Sequence, residues 1–244
     1  MKKPLPPLLF MAGVLLASLP ALAGEGEIPN PAAGWDALWN EVMIDLLAIG
    51  AIFGIAAAYM LIKYRAKSPT DVGSGPKLSK AQAVGWALIP VAIFLADDFY
   101  LGANGWSLWN DYRRIPENAM EVKVTGYQWY WEFEYENGVV TDELTVPVGR
   151  PVVLRMTSED VIHSFGMPKY RVTEDLMPGR ITYIWFNPVE AGETVATCRE
   201  FCGLAHANMY TTVIALPPVE FEEWMAGEKA EAEEGETEAE GEKD

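Results

Sequence analysis

Two long stretches of this chain are apolar on every side, and the segment after them alternates between apolar and polar positions. Residues 43–63 (MIDLLAIGAIFGIAAAYMLIK) and 81–101 (AQAVGWALIPVAIFLADDFYL) are each long enough to cross the roughly 30 Å hydrocarbon core of a bilayer as a helix. Pro90 lies inside the second stretch, which membrane helices tolerate where neighbours satisfy the freed carbonyl. The intervening loop, 64–80, carries Arg65, Lys67, Lys77 and Lys80, with Lys63 at its edge. Basic loops stay on the cytoplasmic side, so the pattern predicts a transmembrane hairpin whose N-terminal flank, 24–42, and everything after 101 lie outside. A buried hairpin of a soluble protein is the alternative.

Upstream of the hairpin, Lys2 and Lys3 precede an apolar run over 8–19 and then Ala21-Leu22-Ala23-Gly24. This is the layout of a secretory signal, cleaved near Gly24. Pro4, Pro6, Pro7 and Pro20 leave too short an uninterrupted span for a further membrane helix. After a linker over 102–118, alternation at 120–125, an aromatic extended run at 127–135, and apolar runs at 143–148, 151–157, 180–187, 193–196 and 209–216 predict short strands. Asn137-Gly138 is a hairpin turn signal. The spacing implies a mainly β domain over 119–218, an antiparallel sandwich or barrel. The remainder, 219–244, starts with an amphipathic stretch at 219–225 and becomes Glu-rich from 228, a composition expected to stay solvated and disordered.

The formal net charge is −17. Such a balance excludes nucleic acid as a natural partner and favours a basic protein, recruited at salt-sensitive rates. Glu134, Asp142, Glu159 and Asp160 are the candidate docking acids, with Glu132 and Glu143 nearby in sequence. Asp97 and Asp98, near the outer end of the second span, are candidates for proton work, because acids at membrane depth face protein or water. Simple hydration at the interface is the alternative.

Chemistry concentrates in very few residues. The chain has two His and two Cys, and three of these four stand in Cys198-Arg-Glu-Phe-Cys202-Gly-Leu-Ala-His206-Ala-Asn-Met209, with His163 in a separate segment. A disulfide on the outer side of a membrane would account for the cysteines alone, and a Cys2His2 zinc site for four residues but not Met209. Thiolate, imidazole and thioether together form the soft set that selects copper. Two thiolates exceed the need of a single blue copper and suit a pair of coppers bridged by both sulfurs. Copper ligands in a loop between late strands make the cupredoxin-like Greek-key barrel the expected form of the domain.

These residues carry a resemblance. The hairpin, Tyr127-Gln-Trp-Tyr-Trp-Glu-Phe-Glu-Tyr135, Ser158-Glu-Asp-Val-Ile-His163-Ser-Phe-Gly-Met-Pro168 and the Cys198 to Met209 motif together resemble subunit II of the haem-copper terminal oxidases, the cytochrome c oxidase family. The resemblance implies a binuclear copper A centre bridged by Cys198 and Cys202. It gives His163 and Met209 to one metal, and His206 with the backbone carbonyl of Glu200 to the other. It further implies a magnesium or manganese ion on the Glu200 side chain at the boundary with the catalytic subunit, and Trp129 as the point where electrons arrive from cytochrome c. The implied partners are a haem-containing subunit I, other oxidase subunits and cytochrome c. The implied location is a bacterial inner membrane with the copper domain outside. A copper A subunit of a nitric oxide reductase would look alike, and a membrane-anchored copper carrier or metallochaperone is a more distant alternative.

Three positions depart from the family pattern. Where a glutamate often precedes Trp86-Ala-Leu-Ile-Pro90 by three residues, this chain has Ala83, with Gln82 beside it, and neither carries a proton. The Pro-Ser ending of the second helix is replaced by Asp97-Asp98-Phe99-Tyr100. Arg199 brings a positive charge beside the metals where a small residue is common, either to raise their potential or to pair with an acid.

Overall fold

The computed structural model describes residues 30–241 except 74 and 76, with side chains described as far as 231. The expected signal segment, 1–23, lies outside the described residues. Helix α1 (Pro31–Lys63) and helix α2 (Lys80–Tyr112) form the hairpin. Asn30 caps α1, its side chain accepting from Ala32 N–H at 3.2 Å, with Pro31 at the first helical position. A reciprocal cap opens α2: Gln82 N–H donates to Ser79 Oγ and Ser79 N–H to Gln82 Oε1. Gln82, which stands beside the departure at Ala83, thus serves to start the helix.

Both helices outrun the apolar windows, each having 33 residues, or about 50 Å of length. Most of the expected linker, 102–118, is therefore helix. The added turns carry Trp35, Trp39, Trp106 and Trp109, aromatic residues of the kind that settle at a membrane interface. No residue in the most apolar window of either helix is buried by the rest of the chain, so these flanks are open to lipid or to membrane-embedded protein.

The outer domain holds ten strands: β1 (Met120–Tyr127), β2 (Tyr130–Tyr135), β3 (Val140–Thr141), β4 (Leu144–Pro147), β5 (Val152–Ser158), β6 (His163–Met167), β7 (Val172–Leu176), β8 (Thr182–Phe186), β9 (Gly192–Cys198) and β10 (Tyr210–Leu216). They form two five-stranded sheets, ordered β3-β2-β1-β5-β8 and β4-β10-β9-β6-β7. This is the cupredoxin-like Greek-key arrangement. Its pairings are not all antiparallel, since β1 runs parallel to β5 and β10 to β4. The cause is that the chain crosses between sheets from β4 to β5 instead of turning back on itself. At the expected turn, Gly138 has φ +87°, a conformation that glycine adopts without Cβ strain.

Alternation along β1, β2 and β5 places Val122, Val124, Trp131, Phe133, Leu154 and Met156 between the sheets, where they meet Phe165, Leu144 and Ile184 in one buried core. Strands β3, β6 and β7 have no counterpart among the strands expected from sequence, β3 being only two residues long. His163–Met167 is buried at every position and so lacks alternation, while β7 reads Val-Thr-Glu-Asp-Leu, with two acids poor in strand propensity.

The tail also differs from expectation. Pro218–Gly241 is helix α3, anchored by Phe221, Trp224 and Met225 packed on the domain core, with Trp224 5.5 Å from the Tyr135 ring. Its continuation is rich in Glu, Ala and Lys, all good helix formers. An anchored first turn removes the nucleation cost that keeps such runs unordered in isolation.

Polar contacts tie the hairpin to β7 and its neighbours. Tyr112 hydroxyl donates to Thr173 O at 3.2 Å, Arg113 pairs with Glu174 at 2.6 Å, and Arg171 pairs with Asp36 of α1 at 2.6 Å. Tyr183 hydroxyl donates to the Arg113 carbonyl. The Arg113 guanidinium also lies 4.5 Å from the Trp109 ring centre, close enough for a cation–π attraction.

Candidate metal centre

His163 opens β6, Cys198 ends β9, and the loop from there to β10 returns Cys202, His206 and Met209 to the same point. Register does the bringing together: Phe165 of β6 pairs with Cys198 of β9, and Cys198 N–H donates to Met209 O at 2.9 Å. His163, Cys198, Cys202 and Met209 are buried, and His206 is half-buried. The side-chain donors of His163, Cys198 and Cys202 lie within 4.8 Å of one another.

The two sulfurs stand at the centre, 3.7 Å apart. A disulfide requires about 2.05 Å, so these are two free thiols. Cys198 Sγ has the carbonyl oxygen of Glu200 at 3.1 Å and His163 Nδ1 at 3.9 Å; Cys202 Sγ has His206 Nδ1 at 3.6 Å and Met209 Sδ at 3.6 Å. Each sulfur thus has an imidazole nitrogen and a second donor on its flank. Burial pushes the Cys202 thiol up, to about 11, and neighbouring Cys198 adds to the effect. A metal entering this pocket displaces protons from sulfur. Two sulfurs flanked by imidazole and thioether fit a soft metal such as copper, and would serve a hard oxygen-seeking ion badly.

Asp160 orients the His163 ring. Its Oδ1 lies 2.8 Å from His163 Nε2, and its Oδ2 accepts from Gln128 N–H at 2.6 Å. With Nε2 carrying the proton toward this carboxylate, Nδ1 presents its lone pair to the sulfurs. Burial alone would raise the Asp160 pKa, but hydrogen bonds from His163, Val161 N–H and Gln128 N–H outweigh it and hold the carboxyl below its ordinary value. The stability this carboxylate contributes is therefore complete above the ordinary carboxylate range and is lost as pH falls through it. Asp160→Asn is expected to weaken metal retention by about 10–100-fold, measured by competition against a chelator. It is also expected to flatten the acid limb of thermal stability against pH. Retention equal to the parent would remove the orienting role.

Gln128 makes a second link, its Nε2 donating to Cys202 O at 2.7 Å. Next to it Trp129 is 36% exposed, with its ring against Gly203. A Cβ at Gly203 would lie 3.3 Å from Trp129 Nε1 and 3.0 Å from Gln128 Nε2, and φ there is +122°. Glycine is required at this point both for the backbone angle and for the close approach of the indole. Trp129 is thereby one residue of backbone away from Cys202 while keeping an edge in solvent.

The remaining sequence candidates fall in different places. Glu200 turns its carbonyl to Cys198 and is itself exposed. Glu159 is exposed, Asp142 lines an open groove of about 480 Å³ beside α3, and Glu134 is paired with Lys123 at 2.6 Å. Asp160, expected with them as a docking acid, has its carboxylate engaged by His163 and the Gln128 backbone. Asp97 faces the acids of α1, with Asp45 and Glu41 as well as its neighbour Asp98 close enough to act on it electrostatically. Asp45 lies inside the first apolar span, and sequence reasoning did not join it to Asp97. No acid among the described residues pairs with Arg199.

The family model for the periplasmic domain of cytochrome c oxidase subunit II matches residues 138–216, the interval that contains every donor described above. Over 235 residues the chain is 30% identical to cytochrome c oxidase subunit 2 of Alkalihalophilus pseudofirmus, covering 93% of this chain and 67% of that protein. The chain belongs to the cytochrome c oxidase subunit 2 family. Members of this family are parts of an oxidoreductase complex. The subunit 2 of Cereibacter sphaeroides is 30% identical over 182 residues, and the match spans 59% of its length. The crystal structure of the periplasmic domain of subunit II of cytochrome oxidase from Bradyrhizobium japonicum aligns at 29% identity, with a TM-score of 0.46, over 48% of this chain and 99% of that one.

Proposed function

We propose that this chain is the electron-accepting subunit of a respiratory haem-copper oxidase. It takes electrons from cytochrome c at a binuclear copper A centre and hands them to haem in the catalytic subunit, where oxygen is reduced to water. The observation that carries the reading is the buried pair of free sulfurs 3.7 Å apart, flanked on both sides by further soft donors.

Cys198 and Cys202 would bridge the two metals, His163 and Met209 would complete one, and His206 with the Glu200 carbonyl the other. Such a bridged pair supplies one-electron redox chemistry with the charge shared over two ions. The chain's own contribution is rigidity and exclusion of water: four of the donors are buried, the His163 ring is fixed by Asp160, and the loop is closed onto β10 by the bond from Cys198 N–H to Met209 O. Little then has to rearrange when charge arrives. Trp129, half in solvent and packed on Gly203, is where the electron would enter from the donor. Glu159 and Asp142 would draw a basic donor to this side at long range. The exposed Glu200 carboxylate suits a magnesium or manganese ion shared with the catalytic subunit. The two apolar helices would hold the chain in the inner membrane with the domain outside.

The test is the intact complex purified from membranes by way of this chain. Two coppers per copy are expected, with an electron-spin signal split by two equivalent copper nuclei, and cytochrome c oxidation that slows as ionic strength rises. Splitting by a single nucleus, or a complex free of copper in this subunit, would overturn the reading.

A further inference from the structure

Where α2 ends, Tyr112 and Arg113 grip two strands of the outer domain, one from each sheet. Arg113 N–H donates to Trp109 O at 3.0 Å, and the Arg113 carbonyl accepts from the Tyr183 hydroxyl of β8 at 3.2 Å. The guanidinium pairs with Glu174 of β7 at 2.6 Å. It also lies 4.5 Å from the Trp109 ring centre, 5.4 Å from that of Tyr112 and 5.6 Å from that of Tyr183. An ion pair in open water holds little. Here three rings flank the cation, and only 32% of the Arg113 side chain and 18% of that of Glu174 remain exposed, which strengthens both the charge pairing and the cation–π attraction. One residue earlier, Tyr112 is 6% exposed and donates its hydroxyl to Thr173 O at 3.2 Å.

The grip leads to the metal centre. Glu174 is the register partner of Phe165, and two positions on, about 7 Å along the strand, Leu176 pairs with His163. The Glu174 carbonyl accepts from Ser164 Oγ at 3.4 Å, and its Oε1 from Asp175 N–H at 3.4 Å. Ser164 directly follows His163, and both are buried. The strand that α2 holds is therefore the one against which His163 is set.

The connection between the two parts is otherwise loose. Residues 114–119 join α2 to β1 without helix or strand, and the bonds from Arg114 N–H to Asp111 O and from Ala119 N–H to Pro116 O are local. Helix α1 contributes Arg171 on Asp36, with both side chains 50% exposed, a pair of the kind that water weakens.

We infer that Arg113 is a positioning residue for electron transfer: locked between Glu174 and the rings, it sets the outer domain on α2 at the angle at which the metal centre faces the haem of the catalytic subunit. The inference rests on the oxidase reading above. Transfer between two fixed centres falls steeply with their separation, so a small tilt at this junction slows the step even when both centres are intact. A misplacement of about 1 Å, caused far from the reacting groups, is enough to cost a large factor in rate.

The test uses the intact complex carrying Arg113→Met, Arg113→Lys or Glu174→Ala in this chain. Methionine keeps an unbranched stem without the charge, lysine keeps the charge, and alanine removes the carboxylate that the guanidinium holds. A photoexcited ruthenium dye gives up one electron to the copper pair, and its onward passage to haem is followed by absorbance. Arg113→Met and Glu174→Ala are expected to slow that passage by about 10-fold, and Arg113→Lys to recover most of the rate. Copper content and the two-nucleus electron-spin signal are expected to stay as in the parent, which a general loss of fold would not give. A copper-to-haem step in Glu174→Ala as fast as the parent's would overturn the inference, whatever becomes of Arg113→Met. Loss of the copper signal together with the rate would also overturn it, since the pair would then act by holding the metal pocket together. A parent complex without the two-copper signal would instead remove the oxidase reading itself.

Discussion

On the copper A reading proposed above, replacing Cys198 with serine is expected to abolish the two-copper signature outright. Cys198 Sγ is the atom common to both halves of the donor set, with the Glu200 carbonyl at 3.1 Å, Cys202 Sγ at 3.7 Å and His163 Nδ1 at 3.9 Å. A serine hydroxyl is smaller, harder and far less acidic than a thiol, so it neither spans two metals nor competes for a soft one. Copper per chain should fall from two to one or none, and any remaining electron-spin signal should be split by a single nucleus. The fold itself should survive, because a buried hydroxyl that lacks a full set of partners costs about 1–3 kcal/mol. A Cys198→Ser chain that still held two equivalent coppers would show that the sulfur does not bridge. Cytochrome c oxidation by the complex should be lost in the same variant, while the haem spectrum of the catalytic subunit is retained.

Phe165→Ala is expected to produce the largest loss of stability of any single truncation near the centre, about 3–5 kcal/mol. Phe165 is fully buried, edge-on to Trp131 at 5.0 Å and to Phe133 at 5.9 Å between ring centres. It joins the aromatic strand β2 of one sheet to β6 of the other. Its loss leaves a cavity that its rigid neighbours cannot fill, which adds to the transfer cost. Domains of this size have only about 5–15 kcal/mol in all, so a large share of the reserve would go. The effect should extend to the metal, since Phe165 is the register partner of Cys198 and lies two residues from His163. Chemical unfolding of the chain in detergent, with and without copper, would measure both parts. A change under about 1 kcal/mol would mean that the two sheets repack freely around residue 165, contrary to the density of native cores.

The two apolar helices and seven of the strands were legible in the pattern of apolar positions: the helices are apolar all round, and alternation marks β1, β2, β5 and β10. The donor set was legible because soft ligands are scarce in the chain. Three kinds of information were not. Strand β6 is buried on both faces, so the very segment that carries His163 has no period to read. The role of Asp160 depends on its pointing back at a residue three positions on and on a loop 32 residues away, and nothing in its type separates it from the solvated Glu159. Gly166 and Gly203 read as ordinary loop or strand glycines, and only the arrival of Arg199 and Trp129 from elsewhere in the chain gives them a purpose. The tail was misjudged for a different reason: its composition alone favours an unordered chain, but the packing of Phe221 and Trp224 supplies the first helical turn.

Strand β10 has a further significance for how the protein is made. It is the last strand of the domain, and it closes the second sheet by pairing with β9 on one side and β4 on the other. The donors precede it in the chain, but the loop holding His206 and Met209 is fastened only when β10 is in place. Pairing with β4 also ties this strand to residues about 70 positions earlier in the chain. A chain cut short before Tyr210–Leu216 would carry every soft donor and lack the strand that holds them together. Metal retention therefore depends on a strand that contributes no side-chain donor of its own.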